Sequence, residues 1–491
     1  MIDKLAEFNS LFNPQSIAVI GASKSFSKTG TAILFSILAG GYKGNLYPIN
    51  RKETSILGLK AYPDLFSTPS KADLVIICVR AEFVPAIIAE CAKAAIGFVS
   101  IISSGFGEIS LKGKKEEEKI IKIARENNMR LIGPNCMGLT SSEASLHALM
   151  NMLIPKAGDV SIISQSGTVG SLIACYGSEQ GIGISKFISS GNEADLHAED
   201  FIEYLALDPK TKVITAFIEG IKNGKRFLSV TKEAARRKPV IMLKGGTTKA
   251  GARAAGSHTG SIAGSADIFE SAISQAGMIR ALDEKDLIDL AKAFSLLALP
   301  KGKNVGITGA WGGTGVLVSD ACSKNGLQVP DLTKESLEKL DKVLPPFWSR
   351  SNPVDITGAG LDGDFFMLIR AIEVLLKDDN IDMLICVLPA FDSLYSKVKL
   401  RMDPKLSDQL NKTAYGSMGP QEMEMAKQIV GLRKKYNKPV VGILVGLYGQ
   451  KGAEHISFLE ENSIPIYETS SQAARVLAKL SNYSDFLVNN Q

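Results

Sequence analysis

Cysteine and histidine are scarce in the sequence, and neither forms a pattern that binds metal. The six cysteines are scattered with no CxxC pair, and there are only four histidines, so neither a zinc site nor a disulfide framework is expected. No apolar run approaches the ~18 residues that span a bilayer. The first thirteen residues include three charged side chains, unlike a signal peptide. These absences predict a soluble, cytoplasmic protein with no metal centre and no membrane partner.

A strong excess of charge of one sign is also missing. Lysine and arginine exceed aspartate and glutamate by 56 to 51, a net charge of +5 over 491 residues. That charge is too dilute to indicate a nucleic-acid surface, and no basic run interleaves with aromatic residues. Hydrophobic residues at 45% and charged residues at 22% are typical of a globular protein. At roughly 150 residues per domain, the length predicts about three domains.

Short apolar runs alternate with helical stretches along the chain, a pattern that indicates parallel sheets covered on both faces. The predicted fold class is α/β, with three tandem doubly wound domains of the Rossmann or flavodoxin type and mainly parallel sheets. The predicted domains are 1–148, 149–299 and 300–491, with a seam at Pro300-Lys301-Gly302. Strands are predicted at 16–20, 45–49, 73–79, 97–102, 159–164, 213–218, 239–243, 303–308, 383–388 and 439–445, and helices include 29–38, 84–95 and 115–127.

The first strand ends in a glycine turn, Gly21-Ala22-Ser23, followed by Lys28 and Gly30. The spacing is not GxGxxG, and the segment after the second strand is basic, Arg51-Lys52, where an NAD site usually has an acidic residue. A nucleotide with an extra phosphate therefore fits better than NAD, its pyrophosphate at the helix start and a second phosphate near Lys52. NADP fits these residues as well, and a structural turn without a ligand is the plain alternative.

A second turn, Ser164-Gln165-Ser166-Gly167, also lies between a strand and a helical stretch. Backbone N–H groups and two hydroxyls at a helix start form a site for a phosphate group. Ser190-Gly191-Asn192, after the next strand, is positioned to form a second wall. Serine and glycine are also common turn and cap residues, so each turn alone is weak evidence.

The segment 245–266 has an unusual composition: Gly, Ala, Ser and Thr fill every position except Lys249, Arg253, His258 and Ile262. With few large apolar groups to anchor it, the segment is expected to be mobile. His258 is flanked by small residues that leave its imidazole accessible, and a neutral imidazole is a nucleophile near neutral pH. The alternative is a surface histidine in a flexible linker.

Glu219 ends a predicted strand, at the carboxyl-end position where open α/β sheets bind ligands. A carboxylate there is placed to accept Nδ1–H from a histidine and so orient the other ring nitrogen for attack. It is equally placed to cap the following helix.

Together these motifs resemble the NDP-forming acyl-CoA synthetase family, relatives of succinyl-CoA synthetase, over nearly the whole chain. The segment Ser257-His258-Thr259-Gly260 is the most specific element, and Ile132-Gly133-Pro134-Asn135-Cys136 also matches. The resemblance implies that His258 is phosphorylated and that Glu219 steadies the phosphohistidine. It implies that CoA binds at Gly21, Ala22, Ser23, Lys28, Lys52, Val79 and Asn135, and that phosphate binds at Ser164, Gln165, Ser166 and Gly167, beside Ser190, Gly191 and Asn192.

The resemblance further implies a three-step reaction through acyl phosphate and phosphohistidine, with CoA or acyl-CoA, inorganic phosphate and ADP or ATP as substrates. In this family an ATP-grasp domain holds the nucleotide with Mg²⁺. No such extension and no P-loop is found here, so a separate ATP-grasp β subunit in an αβ or α2β2 assembly is expected. The small residues around His258 suit a segment that swings between two sites.

Three alternatives stay open at this point. The first is the same chemistry on a larger or aromatic acid, because nothing in the sequence defines the acyl pocket. The second is a non-catalytic CoA sensor or scaffold, against which the presence of both His258 and Glu219 argues. The third is an NADP-dependent oxidoreductase, in which the phosphate loop and the histidine segment have no role. The third-domain motifs at 312–316 and 352–355 match the family pattern without an assigned chemistry.

Overall fold

A computed structural model describes residues 4–253, 266–310, 312–356, 366–391, 398–399, 401–412, 418–445 and 453–490. His258 lies outside these described residues. The chain divides into two compact units, Met1–Ala291 and Lys292–Gln491. The α/β fold class with mainly parallel sheets is confirmed.

The first sheet has the order β2-β1-β5-β6-β7, all parallel. Its strands are β1 (Ser16–Ile20), β2 (Asn45–Ile49), β5 (Leu74–Ile77), β6 (Phe98–Ile101) and β7 (Arg130–Ile132), and a separate hairpin is formed by β3 (Ser55–Ile56) and β4 (Leu59–Lys60). The helices of this region are α1 (Lys4–Phe12), α2 (Thr29–Ala39), α3 (Val84–Lys93) and α4 (Leu111–Glu126), with a 3-10 turn at Ala81–Phe83. β1, β5 and β6 are buried along their whole length, as expected for strands covered on both faces.

The second sheet has the order β14-β13-β12-β10-β11-β8-β9 and lies in the same unit. Its strands are β8 (Gly138–Ser141), β9 (Leu146–Leu149), β10 (Ala157–Ser164), β11 (Ile184–Ser189), β12 (Val213–Ile218), β13 (Val240–Lys244) and β14 (Ile279–Ala281). Its helices include α5 (Gly167–Glu179), α6 (Ala198–Leu207), α7 (Gly224–Ala235), α8 (Ala266–Ala276) and α9 (Glu284–Leu296). The strands β10 to β14 are parallel, whereas β8 pairs antiparallel with both β11 and β9.

The third sheet has the order β16-β15-β17-β18-β19 and is parallel throughout. Its strands are β15 (Val305–Gly309), β16 (Val354–Asp355), β17 (Met383–Pro389), β18 (Val440–Val445) and β19 (Ile466–Tyr467). The described helices are α10 (Gly312–Lys324), α11 (Lys334–Leu340), α12 (Phe366–Lys377), α13 (Pro404–Asn411), α14 (Met418–Tyr436), α15 (Glu454–Glu461) and α16 (Ser470–Asn489). Leucine, isoleucine and valine from α12 and the strands form the core of this unit.

The parallel strands of all three sheets follow one order: second, first, third, fourth, fifth along the chain. In each sheet the first strand lies between the second and the third. The chain therefore leaves the first and third strands in opposite directions, and a crevice opens between the loops that follow them. The crevices lie after β1 and β5, after β10 and β12, and after β15 and β17.

Two local features differ from the sequence expectation. Helix α4 begins at Leu111 and not at Lys115, because the Ser110 side chain accepts a hydrogen bond from the N–H of Gly113 (3.1 Å) and caps the helix there. The hairpin of β8 and β9 is absent from the predicted elements, and it belongs to the second sheet through the pairing of β8 with β11. The domain boundaries at 148 and 299 stay a prediction.

Candidate active site

The first glycine turn is shaped by close packing at the end of β1. Gly21 has a φ of +101°, and a β-carbon on it would overlap the Cys78 carbonyl group, whose carbon would lie 2.8 Å away. A β-carbon on Gly30 would lie 2.7 Å from the Ala22 nitrogen. Only glycine tolerates both the φ at residue 21 and the two approaches. The start of α2 is therefore held against the crevice between β1 and β5.

Hydrogen bonds within the turn occupy Ala22 and Ser23. The Ala22 carbonyl accepts from Asn50 Nδ2 (2.8 Å), and the Ser23 N–H donates to Thr31 Oγ1 (3.0 Å). Asn50 Oδ1 also accepts from the Lys52 N–H (2.8 Å), which fixes the loop after β2. Gly21, Ala22, Ser23 and Lys52 do not line the cavity described next, so their predicted contacts with CoA stay predictions.

A cavity of about 770 Å³ lies at the crevice of the first sheet. Three residues predicted to bind CoA line it, namely Lys28, Val79 and Asn135. Three residues of the predicted phosphate loop, which follows β10 of the second sheet, line the same cavity: Gln165, Ser166 and Gly167. The structure therefore brings together two residue sets that lie apart in the sequence, since the loop at Gln165 follows Asn135 by 30 positions and Lys28 by 137.

The electrostatic character of this cavity favours an anion. Among its lining residues the charged ones are Lys28 and Arg80, and none of the lining residues is acidic. Arg80 also pairs with Glu82 (2.8 Å) in an exposed contact. Thr29 and Gly167, the first residues of α2 and α5, line the cavity too. The first N–H groups of a helix have no partner within it and carry partial positive charge, so both helix starts attract phosphate groups.

The start of α5 is fixed by its own side chains. Ser164 Oγ donates to the Ser166 carbonyl (2.5 Å), and Ser166 Oγ caps the helix by accepting the Val169 N–H (3.3 Å). A β-carbon on Gly167 would overlap the Met137 side chain, with the sulfur only 2.6 Å away. A larger residue at 167 would therefore displace the Met137 side chain, which covers the first turn of the helix.

Gln165 connects the phosphate loop to the end of β12. Its Oε1 accepts the N–H groups of Glu219 (2.6 Å) and Gly220 (3.0 Å), while its Nε2 donates to the Gly220 carbonyl (2.8 Å) and to Glu193 Oε2 (2.9 Å). Its own N–H donates to the Phe217 carbonyl (3.2 Å). The amide is saturated by protein contacts, so it acts as a bridge between β10 and β12 in this structure.

Glu193 is a buried acid beside this bridge, with an exposed fraction of 3%. Besides Gln165, its carboxyl group contacts Ser190 Oγ, which donates to Oε1 (2.7 Å). Burial raises the pKa of Glu193 from 4.5 to about 7, against the opposing effect of the two hydrogen bonds. Ser190, a predicted phosphate ligand, therefore contacts a buried acid whose pKa is raised from its ordinary value.

The turn at Gly191 and Asn192 packs on the turn of the first sheet that contains Asn135. A β-carbon on Gly191 would lie 2.7 Å from the Asn135 carbonyl oxygen, and Asn135 Nδ2 donates to Asn192 Oδ1 (3.3 Å). Asn192 Nδ2 donates to Glu108 (2.6 Å) and to Glu117 (3.1 Å). Hydrogen bonds to Glu108 from this amide and from backbone N–H groups lower its pKa, although burial opposes them. Asn192 thus fastens the second sheet to the cavity wall.

Glu219 is placed where the sequence predicts, at the end of β12, with an exposed fraction of 9%. Lys244, at the end of the neighbouring β13, donates from Nζ to the Glu219 carbonyl (2.8 Å) and to the Gly245 carbonyl. Burial lowers the pKa of Lys244, and the charge of Glu219 opposes that shift. Glu219 does not line the cavity. Its pairing with His258 stays a prediction.

Sequence reasoning missed Arg80, Ser103, Met137 and Met150, which also line the cavity. Arg80 and Ser103 follow the carboxyl ends of β5 and β6, the position that holds ligands in open sheets, so that rule could have found them. Met137 and Met150 carried no such signal, because their place depends on the unpredicted pairing of β8 with β11.

Cys78 and Cys136 also line the cavity. Burial raises the pKa of both thiols, so neither is a thiolate nucleophile near neutral pH. The described part of the chain contains no cluster of His, Cys, Asp or Glu able to hold a metal ion. No described helix is both long and apolar enough to cross a bilayer.

Comparison with known families assigns a description to each region of the chain. Residues 15–142 match a CoA binding domain, 157–294 a succinyl-CoA ligase like flavodoxin domain, and 304–390 a ligase-CoA domain. The α subunit of ADP-forming acetate–CoA ligase II from Pyrococcus furiosus is 39% identical over 94% of this chain and 95% of its own length. The chain belongs to the NDP-forming acyl-CoA synthetase family.

Two further relatives of this acyl-CoA synthetase cover almost its full length. The α subunit of ADP-forming acetate–CoA ligase I from Pyrococcus furiosus is 36% identical over 96% of this chain and 97% of its own length. The solved structure of dinucleotide forming acetyl-coenzyme A synthetase 1 from Ca. Korarchaeum cryptofilum, in complex with phosphate and ADP, has a TM-score of 0.86 and 34% identity and covers 98% of both chains. The chain is therefore a ligase of the ADP-forming acyl-CoA type, as the sequence motifs indicated.

Proposed function

We propose that this chain is the α subunit of an ADP-forming acetyl-CoA synthetase, which interconverts acyl-CoA, ADP and phosphate with the free acid, ATP and CoA. The observation that carries the proposal is the shared cavity: residues after β1, β5 and β7 and the start of α5 face one space. A CoA thioester and a phosphate group need to meet in such a space. The acetate specificity is taken from the names of the two relatives with full coverage.

In the first step, an oxygen of inorganic phosphate attacks the thioester carbonyl carbon. The C–S bond breaks and CoA leaves as the thiolate, giving acyl phosphate. The first-turn N–H groups of α5, fixed by the Ser166 cap, stabilise the phosphate oxygens without reorganising. Lys28 and Arg80 attract the phosphate groups of CoA to the same cavity.

In the second step, a ring nitrogen of His258 attacks the phosphorus atom, the P–O bond to the acyl group breaks, and the acid leaves as a carboxylate. Glu219 accepts the other ring N–H and stabilises the charged ring. Its backbone is held by Gln165 and Lys244, which fixes the point where its side chain leaves the main chain. In the third step, an oxygen of the ADP β-phosphate attacks the phosphohistidine, and ATP forms.

The third step is assigned to a partner. The two α-subunit relatives have nearly the length of this chain, and their names indicate a second subunit in those proteins. We propose a separate ATP-grasp β subunit that holds ADP or ATP with Mg²⁺, in an αβ or α2β2 assembly.

The test is ATP formation from acetyl-CoA, phosphate and ADP by the chain with and without an ATP-grasp β subunit. ATP is expected only from the combined subunits. The variant His258→Asn is expected to bind CoA normally and to lose all turnover. ATP formation by the chain alone would contradict the partner proposal, and turnover by His258→Asn would contradict the phosphohistidine step.

A further inference from the structure

Two methionines form an uncharged part of the cavity wall beside the start of α5. Met137 lies directly on Gly167, because a β-carbon there would overlap the Met137 side chain. Ser171, one turn into α5, donates from Oγ to Met137 Sδ (3.7 Å). These contacts place the thioether over the first turn of α5, where the proposed function puts the attacking phosphate.

Met150 is linked to Met137 by the hairpin of β8 and β9. The hairpin pairs Gly138 with Leu149, so its two ends lie side by side, and the Met150 N–H donates to the Met137 carbonyl (3.2 Å). Both methionines line the cavity, and Met150 has an exposed fraction of 38%. The antiparallel hairpin therefore delivers two flexible apolar side chains to one rim of the cavity.

The position of the phosphate decides what these side chains contact. The thioester carbonyl carbon has to lie within about 3.5 Å of the attacking oxygen, so the acyl group extends over the residues next to the α5 start. We propose, on the basis of the proposed function, that Met137 and Met150 form the acyl-binding wall, and that they select small, uncharged acyl groups. An acyl group that ends in a carboxylate would lose hydration against two thioethers.

Size selection by such a wall is expected to be moderate. Methionine adapts to neighbouring shapes because it is unbranched and polarisable, and one methylene group in an apolar pocket changes selectivity by roughly 10- to 200-fold. Shortening either methionine should therefore enlarge the site for longer acyl chains. Met150 is the better position for shortening, because its exposed side chain contributes little to core packing.

The experiment compares kcat/KM for acetyl-CoA, butyryl-CoA and succinyl-CoA in the complex of this chain with its β subunit. Met150→Ala and Met137→Ala should each raise the butyryl-to-acetyl ratio at least about tenfold, and Met150→Phe should lower it. Met152→Ala is the matched control, because the Met152 side chain has an exposed fraction of 48% and does not line the cavity. Its butyryl-to-acetyl ratio should equal that of wild type. Wild type should use succinyl-CoA at least about tenfold less well than butyryl-CoA.

A binding measurement separates this inference from the proposed function. Calorimetry with the unreactive thioethers S-ethyl-CoA and S-butyl-CoA needs neither turnover nor a partner. If wild type turns over no acyl-CoA, the proposed function fails. The inference is then tested by binding alone: Met150→Ala should raise the affinity for S-butyl-CoA relative to S-ethyl-CoA, compared with wild type. Unchanged ratios in both methionine variants, or efficient use of succinyl-CoA, would overturn it.

Discussion

At the scale of single residues, Gln165 is the most connected polar side chain of the site. It holds the backbone of Glu219 and Gly220 at hydrogen-bond distance from the loop that starts α5. The sequence places Gln165 in a phosphate loop, and in the structure its amide makes four hydrogen bonds to protein groups. That role was not visible in the sequence because its partners lie in two separate loops, after β11 and after β12.

The variant Gln165→Ala should lower kcat more than it changes KM for acyl-CoA. Loss of the amide leaves two N–H groups without their partner and frees Glu219 to move, and misplacement of a catalytic group by about 1 Å costs on the order of 100-fold in rate. Steady-state kinetics of the complex measures kcat and KM separately. The control is Gln180→Ala, at the other end of α5. A rise in KM with unchanged kcat would show instead that Gln165 binds substrate.

The raised pKa of Glu193 predicts that the stability of the first unit depends on pH. Its pKa is raised by burial from 4.5 in the unfolded chain to about 7 in the folded one. The stabilisation from its neutral form is fully present below pH 4.5 and is lost as the pH rises through 7. Glu193→Gln, which keeps a neutral group able to contact Ser190 and Gln165, should therefore be more stable than wild type at pH 8 and nearly equal at pH 4.5.

Thermal unfolding of both proteins at the two pH values measures this difference. A pKa change of this size corresponds to a few kcal/mol of unfolding free energy. We therefore expect the Tm of Glu193→Gln minus that of wild type to rise by roughly 5 °C from pH 4.5 to pH 8. The exposed Glu118 on α4 provides the control variant Glu118→Gln. If the Tm difference between Glu193→Gln and wild type is the same at both pH values, the pKa of Glu193 is not raised by burial as described.

At the scale of elements, the starts of α5 and α7 offer a matched pair of glycines. A β-carbon on Gly167 overlaps Met137, whereas one on Gly224, the first residue of α7, meets no atom within 4 Å. Gly167→Ala should weaken the binding of inorganic phosphate at least about tenfold, because the overlap displaces either Met137 or the helix start. Gly224→Ala should leave binding unchanged.

Calorimetry of phosphate binding to each variant tests this expectation. Adding Met137→Ala to Gly167→Ala removes the overlapping side chain and should restore most of the lost affinity. If Gly167→Ala binds phosphate like wild type, or if the double variant is not rescued, the helix start is not positioned by this contact.

Some elements could be predicted from the sequence and others could not, for a physical reason. β1, β2 and β12 have the predicted bounds, because each is a short apolar run next to glycine or polar turn residues. The hairpin of β8 and β9 is antiparallel and depends on its pairing with β11 at a distance in sequence. Since Met137 and Met150 flank that hairpin, the acyl wall was invisible for the same reason.

At the scale of the whole molecule, three sheets repeat one strand order, yet their crevices differ. In the first two, the starts of α2 and α5 face a common cavity with no acidic lining. In the third sheet, a β-carbon on Gly312 would lie 2.6 Å from Asp355 Oδ2, so a carboxylate of the protein itself sits at the start of α10. The glycine motif at 312–316 matches the family pattern, but a carboxylate lies at its helix start. It is therefore not an anion site like the starts of α2 and α5.

The repeated fold also explains how the sequence could indicate the active site before the structure. The turns at Gly21 and at Ser164 follow the carboxyl ends of β1 and β10, each next to a crevice, and that rule needs only local sequence. The sequence does not reveal that two of the crevices are in contact. The hydrogen bond between Asn135 and Asn192 makes this contact between the first and the second sheet. The cavity shared by Lys28 and Gly167 follows from that contact.

The most direct test of the account is transfer of labelled inorganic phosphate to the chain in the presence of acetyl-CoA and the β subunit. We predict an acid-labile, base-stable label that disappears in His258→Ala. It should persist in His197→Asn, a control in which asparagine can still cap α6. A label that survives in His258→Ala, or no label with acetyl-CoA and longer acyl-CoAs despite CoA binding, would contradict the proposed phosphohistidine ligase.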